Sequence, residues 1–129
     1  MRLHQPDLRN RTKTASLHAL AVYRTLPETE EARILGKRMF RMITRAGAHY
    51  RAAVRSRSLR SYLKRIDAAL YDLDLGVYWL DLMIAAEHMG PRTHMNALLS
   101  EVHEIMAILV SCKKSVRKRD AANIPISSN

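Results

Sequence analysis

From Leu59 to Ile84 the residues Leu59, Leu63, Ile66, Leu70, Leu73, Val77, Leu80 and Ile84 follow one another at strictly alternating steps of four and three. This is the heptad seam of a helix that crosses its neighbours at a shallow angle, and it excludes a strand, whose side chains alternate with a period of two. A helix that starts at Ser58, a natural N-cap, and ends at Gly90 and Pro91 is roughly 45 Å long at about 1.5 Å per residue. Its seam stays wet unless other long helices lie alongside. Met95, Leu98, Val102, Ile105, Leu109, Cys112 and Val116 repeat the rhythm after Thr93, a second candidate cap, and run into the basic segment Lys113 to Arg119.

The few prolines and glycines mark out two earlier helices. One is expected over 14–25, with Leu17, Leu20 and Ala21 as its apolar side. The next begins at Pro27, places Glu28, Glu30 and Glu31 at the positive end of its dipole, and continues to Arg55. Leu35, Met39, Met42, Ile43, Ala46, Tyr50 and Ala53 form its core stripe. Short connections make consecutive helices antiparallel. The expectation is an all-α, up-and-down antiparallel four-helix bundle over 14–119, with a flexible segment 1–13 before it and a disordered tail 120–129 after it. Nothing in the sequence reads as a strand.

Charge is distributed unevenly along this frame. Residues 33–65 carry eleven basic side chains and no acid, whereas residues 66–112 hold one Arg against seven acids. Surfaces that only keep a protein soluble mix both signs. At 100° per residue, Arg33, Lys37, Arg41, Arg51 and Arg55 fall opposite the core stripe of the second helix, and Arg38 and Arg45 flank it. Arg57, Arg60 and Lys64 carry the charge into the third helix. Like charges at i, i+4 repel by a few tenths of a kcal/mol per pair, so the pattern implies a use. Phosphate neutralisation is the expected one, and it makes RNA or DNA the expected partner through its backbone rather than its bases. Lys113, Lys114 and Arg117 form a second basic cluster, which also complements the dipole at the end of the last helix.

The second half of the third helix is apolar beyond its seam. Leu75 and Leu82 lie almost opposite it, with Tyr71, Tyr78 and Trp79 on the same outer side, and Asp67, Asp74 and Asp81 line one edge at intervals of seven. An aromatic patch of this kind suits a protein interface. Acidic edge and basic stripe complement each other between copies, and such head-to-tail contacts close into rings. A cyclic homo-oligomer is expected.

No constellation for catalysis, cofactor or metal is visible, so the chain reads as a non-enzymatic protein. The six histidines, at positions 4, 18, 49, 88, 94 and 103, include no i, i+4 pair and no Glu-x-x-His. Cys112 lies on a core stripe, where a thiol is inert packing. One cysteine and the lack of an apolar leader fit a reducing, cytoplasmic setting. The longest apolar stretch, Val77 to Ala86, is broken by Asp81 and too short to cross a bilayer, so no membrane is expected.

Taken in order, Leu26-Pro27 before an acidic turn, Leu35-Gly36-Lys37-Arg38 opening a basic helix, Tyr78-Trp79-Leu80 and Glu104-Ile105 resemble a family of small four-helix-bundle proteins. Within it the chain is most similar to the accessory variability determinant proteins of diversity-generating retroelements, over roughly residues 17–118. A related branch is encoded in intervening sequences of large-subunit ribosomal RNA genes. That branch has an Asn and an Ile-Ala-Glu-Gly stretch where this chain reads His49-Tyr50-Arg51-Ala52-Ala53. The resemblance implies a pentameric basic bundle that binds nucleic acid and associates with a reverse transcriptase during mutagenic complementary-DNA synthesis. The rival expectation is an oligomeric protein-interaction scaffold with no nucleic-acid role. Both require self-association: light scattering at micromolar concentration should give a mass several times the 14.8 kDa of one chain, and a monomer would remove the ring.

Overall fold

The computed structural model describes residues 7–121. It contains four helices, α1 (Leu8–Arg24), α2 (Glu30–Val54), α3 (Leu59–Ala85) and α4 (Arg92–Ala121), and no strand among the described residues. Each helix packs on its neighbours in the cyclic order α1, α2, α3, α4 and back to α1, with no close backbone approach across either diagonal. This is the up-and-down four-helix bundle.

Local chemistry sets the starts. Asp7 accepts the Asn10 amide at 3.2 Å, Thr29 the Ala32 amide at 3.2 Å and Ser58 the Ser61 amide at 3.1 Å, so α1, α2 and α3 each begin on a side-chain cap. Thr93 is no cap. It lies inside α4, whose first turn closes by the Met95 amide donating to the Pro91 carbonyl. In the connection from α3, His88 and Gly90 take φ of 61° and 117°. A Cβ on Gly90 would approach Leu26 Cδ2 to 3.1 Å, so glycine suits this position twice over.

The start of α2 moves from Pro27 to Glu30, because Thr29 supplies a cap that a helix begun at Pro27 would bury in its first turn. The larger correction concerns α1. It begins at Leu8, six residues before the expected start, so 8–13 are helical, and the remainder of the expected flexible segment, 1–6, lies outside the described residues. Its buried side is Leu8, Thr12, Ala15, Ala19 and Val22, whereas Leu17 is 57% exposed and Ala21 is exposed. Large apolar residues mislead here, because the face that meets the bundle is built from small ones. At the other end α4 reaches Ala121, and 122–129 of the expected tail lie outside the described residues.

The core rows of α2 and α4 are those expected, with Met39, Ile43, Ala46, Tyr50 and Ala53 on one and the whole row from Met95 to Val116 on the other buried. Leu35 and Met42 are half-buried at the edge of the α2 row. Over an 18-residue window α4 has a mean hydropathy of 1.3, enough by length and composition to cross a membrane, with a third of that window buried inside the bundle. Cys112 is buried there, which pushes its thiol pKa up. The seam of α3 is turned. Ile66, Leu73 and Leu80 are buried, but Leu59, Leu63, Leu70, Val77 and Ile84 are only half-covered, and the buried row is completed by Ala69, Asp72, Gly76 and Met83.

Small residues turn α3 toward α2. A Cβ on Gly76 would stand 3.2 Å from Ile43 Cγ1, tighter than ordinary packing, so the bare glycine is what lets the helices come this close. At Gly47, on the α1 side of α2, a Cβ would stand an ordinary 3.5 Å from Ser16 Oγ. The two positions should therefore separate in urea denaturation. Gly76→Leu overpacks the contact and should lower stability by about 1–3 kcal/mol, whereas Gly47→Ala should raise it by up to about 1 kcal/mol through helix propensity.

Candidate nucleic-acid interface

Because α2 buries one face between α1 and α3, its opposite face is left to solvent along its whole length. Arg33, Lys37, Arg38, Arg41, Arg45, Arg51 and Arg55 are all exposed, as are Arg57, Arg60 and Lys64 beyond the turn and Lys114 and Arg117 on α4. Their pairing divides them. Arg33, Lys37, Arg41, Arg51, Arg55, Arg57, Arg60 and Lys64 have no ion-pairing carboxylate among the described residues. Arg38, Arg45 and Lys113 are engaged inside the chain.

The two flanking arginines of α2 lie across the contact with α3. The Arg38 guanidinium carbon sits 5.2 Å from the Trp79 ring centroid, a cation–π contact. Arg45 Nε is 3.5 Å from Asp72 Oδ2, and His49 Nε2 lies 3.5 Å from the same oxygen. The Asp72 side chain is only 5% exposed, against 57% for Arg45, and its Oδ2 accepts no hydrogen bond. Asp72 went unnoticed in the sequence because it interrupts an apolar row by a single residue. A carboxylate next to Leu73 in a core register was the available signal.

Other basic groups are structural. Arg11 grips α4 from α1, its Nε 3.2 Å from Glu101 Oε2 and its Nη2 3.0 Å from Glu101 Oε1 and 2.8 Å from Glu104 Oε1. Hydrogen bonds to the two carboxylates push the guanidinium pKa further up, so its charge is permanent. Lys113 of α4 pairs with Asp67 of α3, so these two residues, expected to serve different surfaces, meet each other within one chain. Tyr50 is buried on the core side of α2, and burial raises its phenol pKa to about 12.

The outer face of α3 is open. Tyr71 is 67% exposed and Tyr78 58%, Leu82 is exposed too, and Asp74 and Asp81 beside them are exposed and unpaired among the described residues. Leu75 and Trp79 are half-covered, Trp79 meeting Tyr78 edge to face at 5.0 Å. The first helix does not cover this side, because α1 packs on α2 and α4.

Between α1 and α2 runs a solvent-open groove of about 760 Å³, with Arg9, Lys13 and Arg51 among its lining residues. Arg9 and Lys13 lie in the helical part of the segment 1–13, for which the sequence predicts flexibility. No cluster of His, Cys, Asp or Glu capable of holding a metal ion occurs among the described residues.

No protein-family model matches the chain, and no curated protein matches it. Among solved structures, the fold is similar to the crystal structure of a protein of unknown function from the S23 ribosomal protein family of Bacteroides thetaiotaomicron VPI-5482. The TM-score is 0.76 at 22% identity, covering 83% of this chain and 98% of that one. The likeness establishes the fold.

The Asp72 cluster yields its own prediction. A buried carboxylate without a hydrogen bond on one oxygen contributes little net stability, and Arg45 is exposed enough for water to solvate it if the acid is lost. Asp72→Leu should leave the thermal midpoint unchanged or raise it by a few degrees. A fall of ten degrees or more by calorimetry would show that the contacts of Asp72 with Arg45 and His49 hold α2 to α3.

Proposed function

We propose that this protein is a non-enzymatic nucleic-acid-binding accessory protein whose contact surface is the outer stripe of α2, continued through Arg57, Arg60 and Lys64. One observation carries the reading: eight exposed cations along the outer face of α2 and on into the start of α3 have no ion-pairing carboxylate among the described residues, within a 33-residue run that contains no acid. Core packing explains none of them, and their mutual repulsion opposes folding. Backbone phosphates relieve that repulsion and release counterions, so binding is strong, sequence-independent and salt-sensitive.

The likeness to the accessory variability determinant proteins extends the proposal to a partner, a retroelement reverse transcriptase, and to a role in mutagenic complementary-DNA synthesis. It also supports assembly into a pentameric ring. The exposed Tyr71, Tyr78 and Leu82, with Asp74 and Asp81 beside them, offer a neighbouring copy an apolar contact rimmed by acid. In that arrangement the basic stripe holds template or product while another face docks the polymerase, and the work is done in the cytoplasm.

The test is a salt series with labelled single-stranded RNA and duplex DNA. Reversing Arg33, Lys37 and Arg41 to Glu should weaken binding by at least tenfold and lower the slope of log affinity against log salt by about 2 for a single strand and about 3 for a duplex. Unchanged affinity would overturn the assignment. No binding by the folded wild-type oligomer at low salt would replace it with the scaffold reading, in which the stripe meets acidic protein surfaces.

A further inference from the structure

The groove between α1 and α2 adjoins the stripe at Arg51 but faces a different way, and its chemistry is more specific than a row of charges. Arg9, Lys13 and Ser16 line it from α1, and Thr44, Gly47 and Arg51 from α2. The three cations are exposed and have no ion-pairing carboxylate among the described residues. Asp7, at one end, is occupied in capping α1 through the Asn10 amide. Gly47 and Ala48 carry at most a methyl group, which leaves the α2 wall low.

The hydroxyl groups decide what fits between the cations. Thr12 Oγ1 donates to the Arg9 carbonyl at 3.2 Å, Ser16 Oγ to the Thr12 carbonyl at 3.0 Å and Thr44 Oγ1 to the Phe40 carbonyl at 2.9 Å. A hydroxyl has one proton, so with it committed to the backbone each can offer the groove only lone pairs. The wall thus combines cations, which take phosphate oxygens, with acceptors, which take O–H groups. A ribose-phosphate backbone alternates those two features, and a deoxyribose backbone lacks the donor.

We propose that the α1/α2 groove binds the backbone of single-stranded RNA, its phosphates on Arg9, Lys13 and Arg51 and its 2′-hydroxyls donating to Ser16 Oγ and Thr44 Oγ1. A single strand, whose sugars and phosphates can both turn to one wall, suits a groove that sets hydroxyl acceptors among cations. The proposal rests on the nucleic-acid reading of the basic stripe and adds to it the side of the bundle, the strand state and the sugar.

The test compares a short labelled oligouridylate with the matching oligodeoxyuridylate across a salt series, with circular dichroism as the folding control. Wild-type protein should prefer the RNA about three- to tenfold. Ser16→Ala with Thr44→Val, which removes both hydroxyls and leaves the cations in place, should abolish the preference by weakening RNA binding alone. Ser16→Ala by itself should lower the preference part of the way. Arg9→Gln with Lys13→Gln should weaken both ligands and lower the salt slope by about 1.4. Equal wild-type affinity for RNA and DNA overturns the ribose assignment. Wild-type behaviour of both groove variants, with binding lost on reversing the α2 stripe, overturns the groove and leaves the stripe. No wild-type binding to either oligonucleotide overturns the groove, and no binding to duplex DNA in the same series overturns the reading beneath it as well.

Discussion

The close contact of α2 with α3 governs much of what this bundle presents to solvent. Gly76 has no side chain to hold Ile43 away, and Ala69 beside it on α3 is small, so the two helices approach closely. At that separation the long side chains on the flank of α2 reach across its neighbour: Arg38 onto the Trp79 ring and Arg45 toward Asp72. The same contact turns α3 so that the outer half of its leucine seam is only half-covered and Tyr71 and Tyr78 stand in solvent. One missing side chain thus bears on the core, on the charge pattern and on the apolar outer face.

Magnitudes explain why the basic stripe can exist. Each fully buried Leu, Ile or Met contributes about 1.5–3 kcal/mol, whereas a like-charge pair one turn apart opposes folding by a few tenths. Met39 and Ile43 on α2, with Ile66, Leu73, Leu80 and Met83 on α3, outweigh the repulsion among Lys37, Arg41 and their neighbours several times over. The bundle can therefore carry a face of uncompensated charge, and two of its arginines are partly relieved internally by an aromatic ring and a buried acid. The remaining cations of that face have no ion-pairing carboxylate among the described residues.

The proposed interface has two parts that differ in kind. Along the outer face of α2 the cations stand on a convex helix surface, where phosphate contact needs charge and little shape. In the α1/α2 groove three cations share a concave wall with hydroxyls already hydrogen-bonded to their own helices. Charge alone attracts any polyanion, whereas the second arrangement can discriminate between sugars. Arg51 lines the groove and also belongs to the stripe, so a single strand can pass from one to the other.

In α2 and α4 the recurrence of apolar residues along the helix determined the buried face by itself. The rows of α2 and α4, the Ser58 cap, the acid-free run and its outward direction all follow from local periodicity, which depends only on 3.6 residues per turn. Relations between helices were decided by the tertiary structure. It placed Ala15, Ala19 and Val22 rather than Leu17 on the inner side of α1, turned the α3 seam toward Gly76, buried Asp72 beside Arg45 and His49, and brought Lys113 to Asp67. Helical spacing states which residues share a face, but how closely two faces approach depends on the bulk of both at once. No single stretch of the chain contains that information.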